Sequence, residues 1–90
     1  MASRLLAEFL GTFILVTAIL FTGQPLFIAA GFLAAITIAG SISGGHVNPA
    51  VSLAMFANGD ITAGAMTQYM GAQFAGALFA LLVFRTIKKM

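Results

Sequence analysis

The segment SGGHVNPAVS, residues 43–52, places polar groups in the middle of a long apolar sequence. Asn48 is a favoured N-cap residue, and Pro49 suits the first helical position, so a short helix is predicted to begin there. The start of a helix has unpaired N–H groups and partial positive charge. The Asn48 side chain can cap that helix with its oxygen and donate with its NH₂ group. In an apolar passage, such a donor beside backbone carbonyls would orient an uncharged hydrogen-bonding solute and oppose cations.

The same residues give no support to an enzyme. The chain has one histidine and no cysteine, so we expect neither a metal site nor thiol chemistry. His46 has no carboxylate or nucleophile beside it in the sequence, and we interpret it as a group that fixes the loop or lines a pore. We expect no cofactor and no nucleic-acid partner, since the four basic residues occur where membrane anchors do.

Two further polar residues, Glu8 and Gln73, interrupt apolar segments. A carboxylate within a membrane span is costly, at about 2.5–3.5 kcal/mol on insertion scales. Glu8 could pair with Arg4 at the membrane edge, four residues away. Alternatively, Glu8 points inward and accepts hydrogen bonds from the loop around His46, and Gln73 has a similar supporting role.

The composition requires lipid as the surroundings of these residues. Of the 90 residues, 61% are hydrophobic and 7% charged, more apolar surface than a soluble chain of this size can bury. About 20 apolar residues cross a bilayer. The sequence therefore predicts three transmembrane helices, at about residues 5–22, 26–42 and 61–84. We interpret the first as a mature span rather than a signal peptide because Glu8 interrupts its apolar run.

Residues 47–58 are apolar but too short to cross, and together with the preceding loop they form a predicted re-entrant segment over about residues 43–58. A helix over Pro49–Ala57 would rise about 14 Å, close to half of the hydrocarbon core. Asn58-Gly59 favours a helix end, and we expect non-helical backbone from Gly40 to Val47. A re-entrant loop and half-helix fit this pattern, whereas an interfacial helix would need a polar face that this segment lacks.

Small residues recur at every fourth position of the second and third spans, where they would let helix backbones approach closely. These residues are Gly31, Ala35 and Ala39, followed by Ala72, Gly76 and Ala80.

Residues 43–52 closely resemble the first-repeat signature SGAHxNPAVT of the major intrinsic protein family, the aquaporins and aquaglyceroporins. Residues 7–12, AEFLGT, are similar to that family's AEFxGT, and Ala72-Gln73 with Gly76-Ala77 is similar to its AQxxGA. The resemblance covers essentially the whole chain. It implies an all-α membrane protein with three transmembrane helices and one re-entrant half-helix, one half of an aquaporin-like fold, over residues 1–90 as a single half-repeat.

The resemblance also implies roles for individual residues. The loop would carry Asn48-Pro49-Ala50 to the membrane centre, and Glu8 would hold that loop from behind. The pore and selectivity residues would be Asn48, Pro49, Ala50, His46, Gly44, Gly45, Val47, Ile28 and Val51, and the loop-supporting residues Glu8 and Gln73.

The chain also departs from the family's pattern. Family members carry two such repeats as inverted copies, whereas this chain has one. Val51 stands where a second repeat has the filter arginine, Gly45 where alanine is usual, and Ser52 where threonine is usual. Because three spans cannot enclose a pore, we expect either a missing second half or a homo-oligomer such as an inverted dimer.

We therefore expect a multi-pass integral protein of the plasma membrane or an equivalent membrane. It would form a passive channel or half-channel for water and small neutral solutes such as glycerol, with the lipid bilayer and these solutes as its partners. Two alternatives stay open, namely a small oligomerising membrane lesion or structural protein, and a truncated channel remnant without function.

Overall fold

In a computed structural model that describes residues 1–90, the chain forms four α-helices and no strand. The helices are α1 (Ala2–Thr22), α2 (Pro25–Ser43), α3 (Pro49–Ala57) and α4 (Ala63–Lys88). The molecule measures 44 × 23 × 19 Å along its principal axes. By length and composition, α1, α2 and α4 could each cross a membrane. The predicted fold class, three spans with one half-helix, is confirmed.

Helix α1 is the centre of the arrangement. It packs against both α2 and α4, whose own backbones do not come close to each other, and α3 packs only against α4. The contacts between α1 and α4 follow the same order along both helices. Glu8 of α1 bonds Gln73 of α4, and further along both helices the rings of Phe21 and Phe84 pack edge-to-face with centroids 5.1 Å apart. Helices α1 and α4 therefore run in the same direction, and Arg4 lies at the opposite end of the bundle from the basic end of α4.

Local sequence signals explain the helix ends. Gly23 adopts a left-handed conformation (φ 61°) and donates its N–H to the Ile19 carbonyl, which ends α1. Pro25 then begins α2. Asn48 caps α3 through its side-chain oxygen, which accepts from the Ala50 N–H at 2.8 Å.

The segment between α2 and α3 doubles back into the bundle. A Cβ added to Gly45 would lie 3.3 Å from Gly40 Cα and 3.4 Å from Ile36 Cα, so the loop returns alongside the last turns of α2. Two residues later the Val47 side chain contacts Gly11, near the middle of the 21-residue α1. If α1 crosses a bilayer, the start of α3 lies near mid-depth, as the re-entrant prediction requires.

Several helix boundaries differ from the sequence prediction. The expected non-helical backbone from Gly40 is wrong, because α2 continues to Ser43 and ends at Gly44 (φ 92°). The helix continues because no proline interrupts it and because Ser43 Oγ, in its last turn, donates to the Glu8 carboxylate at 2.6 Å. Helix α1 starts at Ala2, before the expected residue 5, and α4 continues beyond residue 84 to Lys88.

Candidate functional site

Glu8 is the central acceptor of a buried polar network. Its side chain is fully buried, and its two oxygens accept four hydrogen bonds. The loop supplies two of the donors, the backbone N–H groups of His46 (3.0 Å) and Val47 (2.8 Å). Ser43 Oγ donates from α2 at 2.6 Å, and Gln73 Nε2 donates from α4 at 2.9 Å.

This arrangement bears on the two interpretations of Glu8. All four partners donate, which suits an ionised carboxylate because that group can only accept. None of them is Arg4, so the pair at the membrane edge does not form. Glu8 instead joins α1, α2, the loop and α4 at one point.

The network also fixes the tautomer of His46. Gln73 Nε2 donates both of its hydrogens, to Glu8 Oε1 and to Ser52 Oγ at 2.9 Å each. Ser52 therefore accepts from Gln73 and has its own hydrogen left for His46 Nδ1, which lies 2.9 Å away. A neutral His46 then carries its hydrogen on Nε2. That atom lies on the side of the exposed Gly44, 3.5 Å from where a Gly44 Cβ would be.

Tyr69 completes the buried cluster from α4. Its hydroxyl donates to the Ser43 carbonyl at 2.7 Å, and its ring lies against His46 with centroids 4.8 Å apart. The Ser43 carbonyl, at the last residue of α2, is thus satisfied by a side chain rather than by water. Buried tyrosines usually place their hydroxyl on such a partner.

Val47 adopts an unusual backbone conformation. Its φ of 46° lies in the left-handed region, which is strained for a β-branched residue and costs on the order of 1–3 kcal/mol. The side chain is 2% exposed, and the N–H is bonded to Glu8. Such strain persists only where the surroundings determine the conformation, and it points to a loop held in one geometry.

Several polar groups of residues 44–48 have no hydrogen-bond partner within the chain. Asn48 is exposed, and neither its Nδ2 group nor its backbone N–H donates within the chain. The carbonyl oxygens of residues 44–47 accept no hydrogen bond within the chain. Gly44 and Ala50 are exposed, and Gly45 and Pro49 are half-buried. A side-chain donor therefore follows four unpaired acceptors.

The structure does not bring all the predicted site residues together. Val51 is half-buried in the first turn of α3, and its N–H donates to the Asn48 carbonyl at 3.0 Å. Ile28 is half-buried in the first turn of α2, which has no contact with α3. Ala35 lies beside Gly11, the residue that Val47 contacts, and Ile28 is seven residues before Ala35, about 10 Å along the helix. Ile28 is therefore remote from Asn48 within this chain.

Sequence reasoning missed several contributors. Ser43, Ser52 and Tyr69 belong to the buried network but were not predicted as supporting residues. Their signal was available, because each is a hydrogen-bonding side chain in an apolar helix and must find a partner in lipid. Gly11, which contacts Val47, gave no such signal.

Comparison with known proteins identifies the fold family of this arrangement. Residues 21–90 match the sequence profile described as Major intrinsic protein. The chain belongs to this family. Members of the major intrinsic protein family are integral membrane channels, not enzymes, and the three membrane-spanning candidates agree with that location.

Individual relatives cover most of the chain. It is 45% identical over 86 residues to Glycerol uptake facilitator protein-like 6 of Lactiplantibacillus plantarum, covering 86% of the chain and 40% of that protein. It is 44% identical over 92 residues to human Aquaporin-9, covering 86% of the chain and 31% of that protein. Aquaporin Z of Brucella melitensis is 40% identical over 102 residues, covering 97% of the chain and 45% of that protein.

The chain thus spans less than half the length of these relatives. No solved structure matches significantly.

Proposed function

We propose that the chain forms one half of a passive channel for water and small neutral solutes such as glycerol. The observation that carries the proposal is the re-entrant segment, which combines the free Asn48 amide with the unpaired carbonyl oxygens of residues 44–47. A solute with hydroxyl groups can accept from the amide and donate to the carbonyls. Because the start of α3 carries partial positive charge, cations are opposed.

The roles of the remaining residues follow from their positions. Pro49 and Ala50 begin α3 and set the direction of the Asn48 amide. Glu8 and Gln73 hold the loop from behind through the buried network. Ile28 and Val51 would narrow the passage at other depths, as apolar groups in place of a filter arginine. Residues 1–90 act as a single half-repeat in this proposal.

A second half must complete the passage. The chain alone encloses no cavity, and Asn48 and Gly44 lie exposed on its surface. In lipid, exposed polar backbone has to be covered by protein or water. We propose that the cover is an inverted half-repeat, either a second copy of this chain or a second repeat continuous with it.

The two sources of that half are distinguishable. An in-frame second Asn-Pro-Ala repeat downstream in the encoding DNA would assign the cover to the same polypeptide. Otherwise, copies must insert in both orientations, which the charge distribution permits because Arg4 and the basic end of α4 lie at opposite ends. A C-terminal tag accessible from both faces supports the inverted dimer, and a tag accessible from one face excludes it.

Flux measurements test the function itself. The protein is reconstituted into liposomes, and stopped-flow light scattering follows swelling in water and glycerol gradients. We expect the inverted dimer to pass both solutes, because Val51 and Ile28 make its filter region more apolar and wider than a filter with arginine would be. Permeation of water alone would contradict that solute range.

Two substitutions separate a channel from a membrane lesion. Asn48→Ala removes the amide donor, and Gly45→Leu places a branched side chain where only 3.3 Å separates an added Cβ from α2. Solute flux should collapse in the double variant. If leakage of glycerol and of a larger dye continues unchanged, the protein is a lesion former and the channel proposal fails.

A further inference from the structure

The loop is fixed to α1 at two points, of which only one is polar. The polar point is Glu8, which binds the Val47 N–H at 2.8 Å. The other is steric. A Cβ added to Gly11 would lie 2.5 Å from Val47 Cγ1, a separation that carbon atoms do not adopt. The Val47 side chain therefore occupies the space that any larger residue at position 11 would fill.

We propose that Gly11 is a positioning residue for the Asn48 amide. Its missing side chain leaves a notch in α1 that receives Val47 and thereby sets the direction of the peptide that follows. This inference rests on the proposed function in so far as the Asn48 amide meets the solute. It goes further by assigning the placement of that amide to a residue that touches neither the solute nor Asn48.

The surroundings of the notch make the placement strict. The same added Cβ on Gly11 would lie 3.6 Å from the Ala39 methyl and 3.7 Å from the Ala35 carbonyl oxygen, so α2 closes the notch from the other side. Val47 is β-branched and 2% exposed, and it has little rotamer freedom with which to yield. Its left-handed φ of 46° is thus held by a hydrogen bond at the N–H and by the notch at the side chain.

The consequence of filling the notch can be estimated. Ordinary van der Waals contact begins at 3.4 Å, so Gly11→Ala requires a shift of 3.4 − 2.5 = 0.9 Å to restore ordinary contact. If the Val47 backbone moved with its side chain, the hydrogen bond from the Val47 N–H to Glu8 would be lost. The shift therefore passes to Asn48, and a functional group displaced by about 1 Å loses most of its effect.

The chain contains no cysteine, so a single reporter is available without background. Ala50 is exposed beside Asn48, and Ala50→Cys reports the local geometry through its rate of reaction with a small water-soluble thiosulfonate. In this background we expect Gly11→Ala to change the labelling rate about tenfold, as overpacking should. Adding Val47→Ala removes Cγ1 and should return the rate to within about twofold of the starting value.

A second close contact, between Gly31 and Ala18, controls for the general effect of overpacking. A Cβ on Gly31 would lie 2.6 Å from the Ala18 methyl, at a contact between α2 and α1 that does not involve the loop. Gly31→Ala, alone or with Ala18→Gly, should leave the labelling rate of the Ala50→Cys reporter unchanged. Circular dichroism and size-exclusion chromatography in detergent establish that each variant folds.

Each outcome is decisive. A labelling rate unaffected by Gly11→Ala, a change not reversed by Val47→Ala, or an equal change in Gly31→Ala overturns the inference. If Gly11→Ala fails to fold, recovery of folding by Val47→Ala supports it, and failure of the double variant overturns it.

Flux is then measured with native Ala50. Reversal of the labelling change without solute flux in any variant would keep the notch and reject the channel.

Discussion

The two ends of the bundle are held together by different forces. The polar end comprises the buried side chains around the loop, namely Glu8, Ser43, His46, Ser52, Tyr69 and Gln73. The apolar end comprises the residues at which α1 meets the ends of α2 and α4 furthest from the loop, among them Ala18, Phe21, Gly31 and Phe84. At the apolar end, close backbone approaches and packed aromatic rings hold the helices together in place of a hydrogen-bond network.

The difference follows from where the backbone leaves the helical conformation. Within α1 and α2 every central N–H and carbonyl is paired in the helix, so two spans need only fit closely, as Gly31 and Ala18 do. The loop has no such pairing of its own, and in lipid its N–H groups require protein acceptors. The buried carboxylate of Glu8 is therefore the counterpart of a non-helical segment rather than a general feature of the fold.

The largest effect should come from removing Glu8. Glu8→Ala deprives four donors of their acceptor, and each buried unsatisfied donor costs about 1–3 kcal/mol. Since the site relaxes in part, we expect a loss of roughly 3–5 kcal/mol in the free energy of unfolding, measured by detergent-denaturant titration, and loss of solute flux.

Arg4→Ala is the matched control for Glu8→Ala. Arg4 is exposed and is no partner of Glu8 in the structure, so its removal should change the unfolding free energy by less than about 0.5 kcal/mol. Equal effects of the two substitutions would mean that the carboxylate pairs at the surface and that the loop is held by something else.

The second largest effect should come from filling a close contact between helices, and two glycines of α4 compare a filled contact with an open site. A Cβ on Gly76 would collide with the Phe9 carbonyl oxygen, which is backbone and cannot move aside, whereas one on Gly71 would have nothing within 4 Å. We expect Gly76→Ala to destabilise by about 1–3 kcal/mol. Gly71→Ala should stabilise by up to about 1 kcal/mol, because alanine favours the helix.

Thermal unfolding followed by circular dichroism measures both variants. A destabilising Gly71→Ala, or a neutral Gly76→Ala, would show that close backbone approach does not limit the α1–α4 contact.

The sequence predicts this fold well because the signals that specify it are local. Apolar runs of about 20 residues indicate the spans, and Asn48-Pro49 with Asn58-Gly59 delimits α3 at both ends. The four-residue stripes also predicted close packing, and Gly76 and Ala39 are indeed buried. The end of α2 was misplaced because glycine weakens a helix without ending it, and tertiary contacts of Ser43 decided the outcome.

The candidate site was less predictable because its contacts join residues distant in the chain. Glu8 and Val47 are 39 residues apart, and only the family resemblance, not the chemistry of the residues between them, favoured one interpretation of Glu8 over the other. The positive φ values of Gly44 and Gly45 agree with the freedom expected of glycine, whereas that of Val47 depends wholly on its neighbours. Such strain has no local signal, so neither the backbone conformation of Val47 nor its contact with Gly11 could be inferred.

A smaller effect tests the edge of the polar end. Tyr69→Phe removes the donor to the Ser43 carbonyl but keeps the ring against His46. We expect a loss of about 1 kcal/mol in the free energy of unfolding, the usual net value of one hydrogen bond. Tyr69→Leu removes the ring as well and should cost more. A Phe variant as unstable as the Leu variant would assign the whole effect to the hydrogen bond.

The smallest effect concerns Thr62, which caps α4 in the segment that joins it to α3. Its hydroxyl accepts from the Ala65 N–H at 3.1 Å. Thr62→Ala should cost about 0.5–1 kcal/mol by thermal unfolding, because an exposed N-terminus can bond water instead. Thr86→Ala near the other end of α4 is the control, since that hydroxyl only bonds the already paired Leu82 carbonyl at 2.8 Å. Thr62 lies outside the buried network, so Thr62→Ala should leave the labelling rate of the Ala50→Cys reporter constant. A changed rate would mean that the start of α4 also positions the loop.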